Sequence, residues 1–354
     1  MTQILTKSNL DKDIKQSLYS LTSPKSQPLQ LWVKLRQRLL VISTAEATVA
    51  RRGFKTNSPH IQQRLETIGK TFLQGYHAAI SDTRLESLIP HLNTVEAEWR
   101  GFAYEGAGMG LALLDGLTPW KRNRLQQFLA DAGGEHIYMV YVGMGWALAR
   151  LPWGINRYLK EMEEKNLFPD PLLGWLALDG YGFHQGYFYW HQYVERIAIP
   201  KKLSGYAYSA FDQGLGRSLW FVYGADINLI TQAIQNFPPN RRADLWSGVG
   251  LACTYAGGVS KEVVQFLSTA AGTYLPQLCQ GAAFAAKARL RAENLTNHTE
   301  MACQVLCGIS AEAAADITDK ALENLPYKQR KPAYEIWRQR IQAHFAIEEL
   351  IVNY

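Results

Sequence analysis

Pairs of glycines recur along this chain at a nearly constant spacing. The pairs are Gly106-Ala-Gly108, Gly143-Met-Gly145, Gly180-Tyr-Gly182, Gly214-Leu-Gly216 and Gly248-Val-Gly250, followed by the single Gly281. Successive first glycines are 37, 37, 34, 34 and 33 residues apart, a period typical of stacked helix–turn–helix units. The spacing therefore predicts a solenoid-like array of about six helical hairpins.

The fifth unit indicates how each period divides into helices. Residues 243–258 read as one helix that ends at two glycines, and Ser260 then suits the N-cap of a second helix that ends at Gly272. The glycine pairs thus lie inside helices, where each glycine costs up to about 1 kcal/mol relative to alanine. Close approach of neighbouring helices explains a cost that recurs. A dinucleotide-binding loop is disfavoured, because no copy has the full G-x-G-x-x-G pattern or a preceding strand.

The repeat covers residues 96–325 and leaves a segment on either side. Residues 1–29 are predicted to be a mobile leader, residues 30–95 an N-terminal helical cap, and residues 326–354 a C-terminal capping helix. The ends of a repeat array need a polar outer face, which these mixed segments can provide. The predicted fold is all-α, with the array and its terminal helical caps forming one structural unit.

Composition limits the cellular location and the class of partner that we expect for this protein. The 354 residues include 37 Lys and Arg against 31 Asp and Glu, a net charge of +6 that is too mild to indicate a nucleic-acid partner. No segment approaches the roughly 18 uninterrupted apolar residues of a membrane span, and the amino terminus lacks a signal-peptide pattern. The four cysteines have no C-x-x-C spacing. We therefore expect a cytoplasmic protein with no transmembrane segment and no nucleic-acid partner.

Two residues depart from the pattern of the repeat. Three positions after the first glycine, five units carry a large apolar residue and the fourth unit carries Arg217. Four positions after it, five units carry a small residue and the third carries His184. A charge or an imidazole at a core position needs a partner or water. Both residues are therefore candidates for a functional site.

The position just before the first glycine is mostly polar. It holds Glu105, Asp179, Gln213, Ser247 and Gln280 in five of the six units. One interpretation is an interior ion network, in which Glu105 and Asp179 balance Arg217, or Arg100 and Arg150. The other is a pocket with a general acid or base. The sequence leaves both open.

The third unit is the richest in polar and aromatic groups. If residues 179–195 form one helix, His184, His191 and Glu195 lie on one face. His191 and Glu195, one turn apart, would be the better pair for a metal ion, although we favour an aromatic helix with satisfied polar tips and no metal. The many aromatic residues of units three and four could line a pocket for an extended apolar ligand, or pack between helices.

Four ordered blocks of this chain resemble a known family. Residues 102–117, 142–151, 179–188 and 211–226 resemble the signature blocks of the UnbL-like proteins, an uncharacterised family encoded beside enediyne polyketide synthases and also found in cyanobacteria. The resemblance covers about residues 30–345 and implies an accessory role around a polyketide or polyene, without implying a reaction. The candidate site residues carried over on these blocks are Glu105, Asp115, Arg150, Asp179, His184, Asp212, Gln213 and Arg217.

The first functional hypothesis is an accessory protein of enediyne-type polyketide or polyene metabolism. It would bind a long unsaturated or lipid-like chain in an aromatic cavity whose ligand-binding residues are Asp115, Arg150, Tyr181, Tyr187, Asp212, Gln213 and Trp220. In an enzymatic version His184 would transfer protons and Arg217 would stabilise an anionic oxygen. Asp179 or Glu105 would orient them.

Two further hypotheses belong to other classes of protein. A helical array can serve as a non-catalytic scaffold, with a polyketide synthase or another protein as its partner. A haem or metal protein would use His184 or His191. The sequence identifies no cofactor and does not decide whether the protein is an enzyme.

Overall fold

The structure, a computed structural model, describes residues 38–118, 123–164, 170, 172–326 and 331–352. These residues form helices joined by short turns, and no strand occurs among them. The predicted all-α array is therefore confirmed. The predicted leader, residues 1–29, lies outside the described residues.

The helices are numbered here in chain order. They are α1 (Val49–Arg52), α2 (Pro59–Ser81), α3 (Leu85–Asn93), α4 (Ala97–Leu117), α5 (Arg124–Leu129), α6 (Ile137–Arg150), α7 (Gly154–Glu164), α8 (Trp175–Phe188), α9 (Ala207–Val222), α10 (Ile227–Asn236), α11 (Pro239–Ala256), α12 (Lys261–Ala271), α13 (Leu275–Arg291), α14 (Asn297–Cys307), α15 (Ala311–Lys320) and α16 (Ala333–Val352). Short 3₁₀ turns lie at Thr44–Ala47, Ala132–Gly134 and Gly272–Tyr274, and a π turn lies at His191–Glu195. None of the described helices combines the length and apolarity that crossing a membrane requires.

Local signals place many of the helix ends. The Ser58 side chain accepts the Ile61 N–H at the start of α2, and Asp226 caps α10 in the same way. Helix α11 ends, as the sequence predicts, at Gly257, whose φ of +66° suits a residue without a side chain. Ser260 occupies the N-cap position of α12, as predicted.

Seven helices form an inner row that includes every helix with a glycine pair. Helices α2, α4, α6, α8, α9, α11 and α13 pack against one another in that order. Neighbours run parallel, since Gly101 and Gly116 at the two ends of α4 lie beside Met139 and Leu151 at the corresponding ends of α6. Shorter helices return the chain, and three of them, α10, α12 and α14, form an outer row. Between α8 and α9 the π turn and an irregular segment replace the return helix.

The glycine pair joins each inner helix to both of its neighbours. A Cβ atom at Gly143 would lie well under 3.0 Å from the Glu105 carbonyl oxygen of the preceding inner helix, and one at Gly145 would collide likewise with the Ala177 carbonyl oxygen of the following helix. The same collisions recur at the other pairs. Any side chain there would force the helices apart, so the predicted reason for the glycines, close backbone approach, is confirmed. Gly75 gives α2 the same kind of contact with Ala103 of α4.

The inner row curves until distant helices meet. Arg64 of α2 donates to the Ala256 carbonyl at the end of α11 (2.6 Å), and Arg289 of α13 donates to the Glu98 carbonyl of α4 (2.7 Å). The rings of Phe102 and Tyr255, from α4 and α11, also contact each other with centroids 5.2 Å apart. Side chains of the described inner helices thus meet in the middle of the array. The C-terminal helix α16 packs on α13 and α15.

Candidate functional site

An aromatic compartment of about 40 Å³ lies between α2, α4, α6, α8 and α9. Successive aromatic rings form its wall. Trp146 of α6 lies 4.7 Å from Phe72 of α2 and 5.2 Å from Phe183 of α8, and Phe183 lies 5.3 Å from Phe221 of α9, measured between ring centroids. These side chains bring together five consecutive members of the inner row, α4 included through Phe102.

Residues 42–54, here called the N-terminal strap, run across this compartment. Ile42 and Ala47 of the strap are buried and line it. The Arg52 guanidinium pairs with Glu46 (2.5 Å) and donates to the Phe188 carbonyl of α8 (2.7 Å). The strap is therefore anchored to the rim of the compartment by a few polar contacts and by the burial of its apolar side chains.

Glu105 of α4 places a carboxyl group in the compartment. Its side chain is 1% exposed, and Oε1 has no hydrogen-bond partner among the described residues. The Trp146 indole N–H approaches the carboxyl without reaching hydrogen-bond geometry. Burial raises the pKa of Glu105 to about 8, against the attraction of Arg217 and with the support of the Asp179 charge. At neutral pH this carboxyl is therefore mostly protonated.

Arg217 and Asp179 form a buried ion pair beside Glu105. Arg217 Nη1 lies 2.5 Å from Asp179 Oδ1, and the guanidinium stacks 4.7 Å from the Phe183 ring centroid. Asp179 Oδ2 also accepts from Gln213 Nε2 (2.9 Å). Burial lowers the pKa of Arg217, but the carboxylate of Asp179 offsets this effect and contributes most to holding the pKa of Arg217 above its ordinary value. Arg217 is thus a cation whose charge is already balanced.

Only some of the polar residues that precede the first glycines of the repeat lie together in the structure. Glu105, Asp179, Gln213 and Arg217 lie in one cluster, since adjacent inner helices contact at that register. Arg100 instead donates to the backbone carbonyls of Val95 and Asn93, and Arg150 is exposed. The interior ion network that the sequence suggested therefore includes Arg217 and does not include Arg100 or Arg150.

His184 of α8 lies behind the compartment wall. Its ring packs against Trp146 (5.4 Å) and Phe188 (4.7 Å), and neither ring nitrogen has a hydrogen-bond partner within the described part of the chain. Burial, helped by Arg150 and Arg52, lowers its pKa to about 3. The imidazole is therefore neutral at physiological pH.

The possible metal pair lies at the surface, apart from His184. Helix α8 ends at Phe188, so residues 179–195 do not form the single helix on which a common face depended. His191 Nδ1 lies 2.7 Å from Glu195 Oε2, and both side chains are exposed. Throughout the described ranges, no three His, Cys, Asp or Glu side chains are grouped so that they could hold a metal ion.

Two predicted acidic residues hold other parts of the fold. Asp115 pairs with Arg124 (2.9 Å) and accepts the Leu125 N–H (3.0 Å), which fixes the start of α5. Asp212 forms two contacts of 2.8 and 2.5 Å with Arg241. Burial raises the pKa of Asp212 to about 6, although Arg241 opposes that shift.

The predicted aromatic residues are all buried but differ in position. Tyr187 lines the compartment, and its hydroxyl donates to the Glu46 carbonyl of the strap at 3.4 Å. Trp220 donates to the Gly257 carbonyl (3.2 Å) and is not among the residues that line the compartment. Tyr181 packs near Phe211, and burial raises its pKa to about 12.

A second pocket, of about 200 Å³, lies between α4, α5, α6 and α7. Its acidic groups, Asp115 and Glu161, are paired with Arg124 and Arg157. The compartment is smaller, yet it contains the buried carboxyl that lacks a partner. We therefore place the candidate site in the compartment.

Sequence reasoning missed three contributors to this site. Phe72 lies before the first glycine pair, in a helix that has only the single Gly75 at the corresponding register. Trp146 occupies the register that Arg217 occupies in the fourth unit, a signal that could have identified it. The strap has no repeat pattern, and no sequence signal indicated where it would pack.

The sequence model of a family described as "Protein of unknown function (DUF1702)" matches residues 31–345. No curated protein and no solved structure shows a significant match to the chain.

Proposed function

The chain belongs to the DUF1702 family of proteins of unknown function, and we propose that it binds an extended apolar molecule in the aromatic compartment. One observation carries the proposal: a compartment with aromatic walls contains a buried carboxyl oxygen, Glu105 Oε1, that no described residue pairs. An unpaired buried polar group costs about 1–3 kcal/mol. A ligand that supplies the missing partner would recover that cost.

The family-like blocks support a polyketide or polyene as the ligand class. The four blocks at residues 102–117, 142–151, 179–188 and 211–226 fall in α4, α6, α8 and α9 or extend just beyond them. These are four of the five helices around the compartment. Long unsaturated chains present flat apolar faces that aromatic walls accommodate. We therefore extend the enediyne-type accessory role, implied by the resemblance, to this chain as part of the proposal.

The size of the compartment requires movement of the strap. A volume of about 40 Å³ is well below the roughly 300–1,000 Å³ of typical small-molecule sites. Ile42 and Ala47 of the strap occupy one side of the compartment. Their withdrawal would enlarge it without disturbing the inner helices, so we propose that ligand exchange proceeds by opening of the strap.

If the ligand is transformed, we assign the proton-donor role to Glu105. Its raised pKa keeps a proton available near neutral pH, the condition for a general acid. His184 is held neutral by burial, and Arg217 is paired with Asp179.

The scaffold hypothesis is less well supported, since Phe102 meets Tyr255 in the middle of the array, which offers no deep concave surface there.

The proposal is tested by extracting the purified protein with organic solvent and identifying bound molecules by mass spectrometry. Leu73→Trp places a larger side chain in the compartment from helix α2, which does not move with the strap, and should abolish the bound species. Gln74→Trp is the matched control, because the neighbouring Gln74 is exposed. Circular dichroism checks that both variants keep their helicity. Absence of any bound apolar molecule, together with failure of apolar probes to bind, would refute the proposal.

A further inference from the structure

The polar groups around Glu105 define what kind of ligand atom it can meet. Asp179 approaches from α8, Arg217 from α9 and the Trp146 indole from α6. Tyr255 of α11 lies close enough for the Glu105 charge to affect its pKa. On the α2 side the nearest lining groups, such as Phe72 and Leu73, are apolar. In this setting Oε1 of Glu105 has no hydrogen-bond partner among the described residues, and the protonated carboxyl carries one O–H donor.

The cations near the compartment are already engaged. Arg217 is paired with Asp179 at 2.5 Å, and Arg52 of the strap is paired with Glu46 at 2.5 Å and donates to the Phe188 carbonyl. A ligand carboxylate beside Glu105 would be buried without a free counter-ion, since Arg217 is paired there, and would be close to the negative charge of Asp179. Burying an unpaired charge costs several kcal/mol. The part of the compartment around Glu105 is therefore electrostatically unsuited to a carboxylate, whereas Arg51 and Arg52 share one carboxylate, that of Glu46, at the strap.

We propose that the compartment selects apolar molecules that carry a neutral acceptor oxygen, such as a ketone, aldehyde or ester carbonyl, and that Glu105 is the residue that recognises this oxygen. The inference rests on the proposed function, since it specifies the chemistry of a ligand in the same compartment. It replaces the role that the sequence suggested for Arg217, which was to stabilise an anionic oxygen.

The proposal predicts how affinity depends on pH. Below about pH 8 the O–H group of Glu105 donates a hydrogen bond to the ligand carbonyl, and above that value the donor is lost. Affinity for a carbonyl ligand should therefore fall as the pH rises. Glu105→Gln supplies an amide N–H donor at every pH, so the variant should bind the carbonyl ligand without this dependence. Glu105→Leu removes the donor altogether.

The test compares three probes of equal chain length: 2-undecanone, undecanoate and undecane. Each competes with the neutral fluorescent probe N-phenyl-1-naphthylamine for the full-length protein. At about pH 6.5 the ratio of ketone affinity to undecane affinity should be at least about ten-fold higher in the wild type than in Glu105→Leu, which corresponds to about 1.4 kcal/mol, and undecanoate should bind more weakly than the ketone. The ratio should fall at about pH 9.5 in the wild type and stay unchanged in Glu105→Gln.

The outcomes separate this inference from the proposed function. Equal binding of all three probes, or tighter binding of undecanoate, would overturn the selectivity and leave ligand binding in place. Failure of all three to bind, with no extractable molecule, would refute both. The comparison within the wild type needs no variant, so it remains decisive if a Glu105 substitution fails to fold.

Discussion

Replacing Glu105 by glutamine should change how the stability of the protein depends on pH. The native carboxyl holds its proton up to about pH 8, whereas the unfolded chain releases it near the ordinary pKa of 4.5. Between these values the native state binds one more proton than the unfolded state. The free energy of unfolding must therefore fall as the pH rises, and this group alone contributes about 1.4 kcal/mol per pH unit.

The whole interval between these two pKa values corresponds to about 5 kcal/mol, an upper estimate for a single buried group. Glutamine does not titrate and has nearly the same shape. The variant should therefore gain stability relative to the wild type as the pH is raised, by several kcal/mol between about pH 5 and 8. Asp212, whose pKa is also raised by burial, is present in both proteins and cancels in the comparison.

The assay is urea unfolding, followed by circular dichroism at several pH values for wild type, Glu105→Gln and Glu135→Gln. Glu135 is exposed, so its substitution controls for the loss of one surface carboxyl. Parallel pH profiles for the wild type and Glu105→Gln would mean that Glu105 is already ionised in the native state. That result would refute the reasoning on its burial.

Three further substitutions test the packing, the ion pair and the strap. Gly143→Ala should lower the free energy of unfolding by about 2 kcal/mol or more, because its Cβ would strike the Glu105 backbone; Gly116→Ala, which meets only the flexible end of Leu151, should be nearly neutral in the same urea titration. Asp179→Asn should lower the free energy of unfolding by about 3–5 kcal/mol, because it leaves Arg217 buried without its counter-ion. The double variant Asp179→Leu with Arg217→Met should recover much of that loss in the urea titration, and equal losses in both proteins would contradict this account. Arg52→Ala should release the strap and speed its cleavage in limited proteolysis, and an unchanged rate would show that the apolar contacts alone hold it.

The inner row was predictable because its cause is local and periodic. Each glycine pair marks a point where two backbones touch, and Gly143 and Gly145 illustrate how one pair serves two neighbours. The curvature was not predictable. It depends on how side chains such as Phe102 and Tyr255 fill the middle of the array, and one unit carries no information about a helix several units away.

Part of the candidate site was predictable, because some of its residues depart from the pattern of the repeat. Arg217 stands out as a charged residue at a core position of the repeat, and its partner Asp179 is one of the polar residues that precede the first glycines. The role of His184 could not be derived from its register, because its surroundings depend on the end of α8 at Phe188 and on the packing of Trp146. The strap could not be placed at all, since its contacts with α8 join residues about 140 positions apart in sequence, such as Arg52 and Phe188.

The curvature of the inner row also bears on how the protein folds. In an open repeat array each unit contacts only its neighbours, so units can fold and unfold from the ends. Here Arg64 bonds to a residue 192 positions away and Arg289 to one 191 positions away. Contacts of such high sequence separation form late and slow folding. We therefore expect all-or-none unfolding, and a nascent chain that cannot complete its core until α13 has been synthesised.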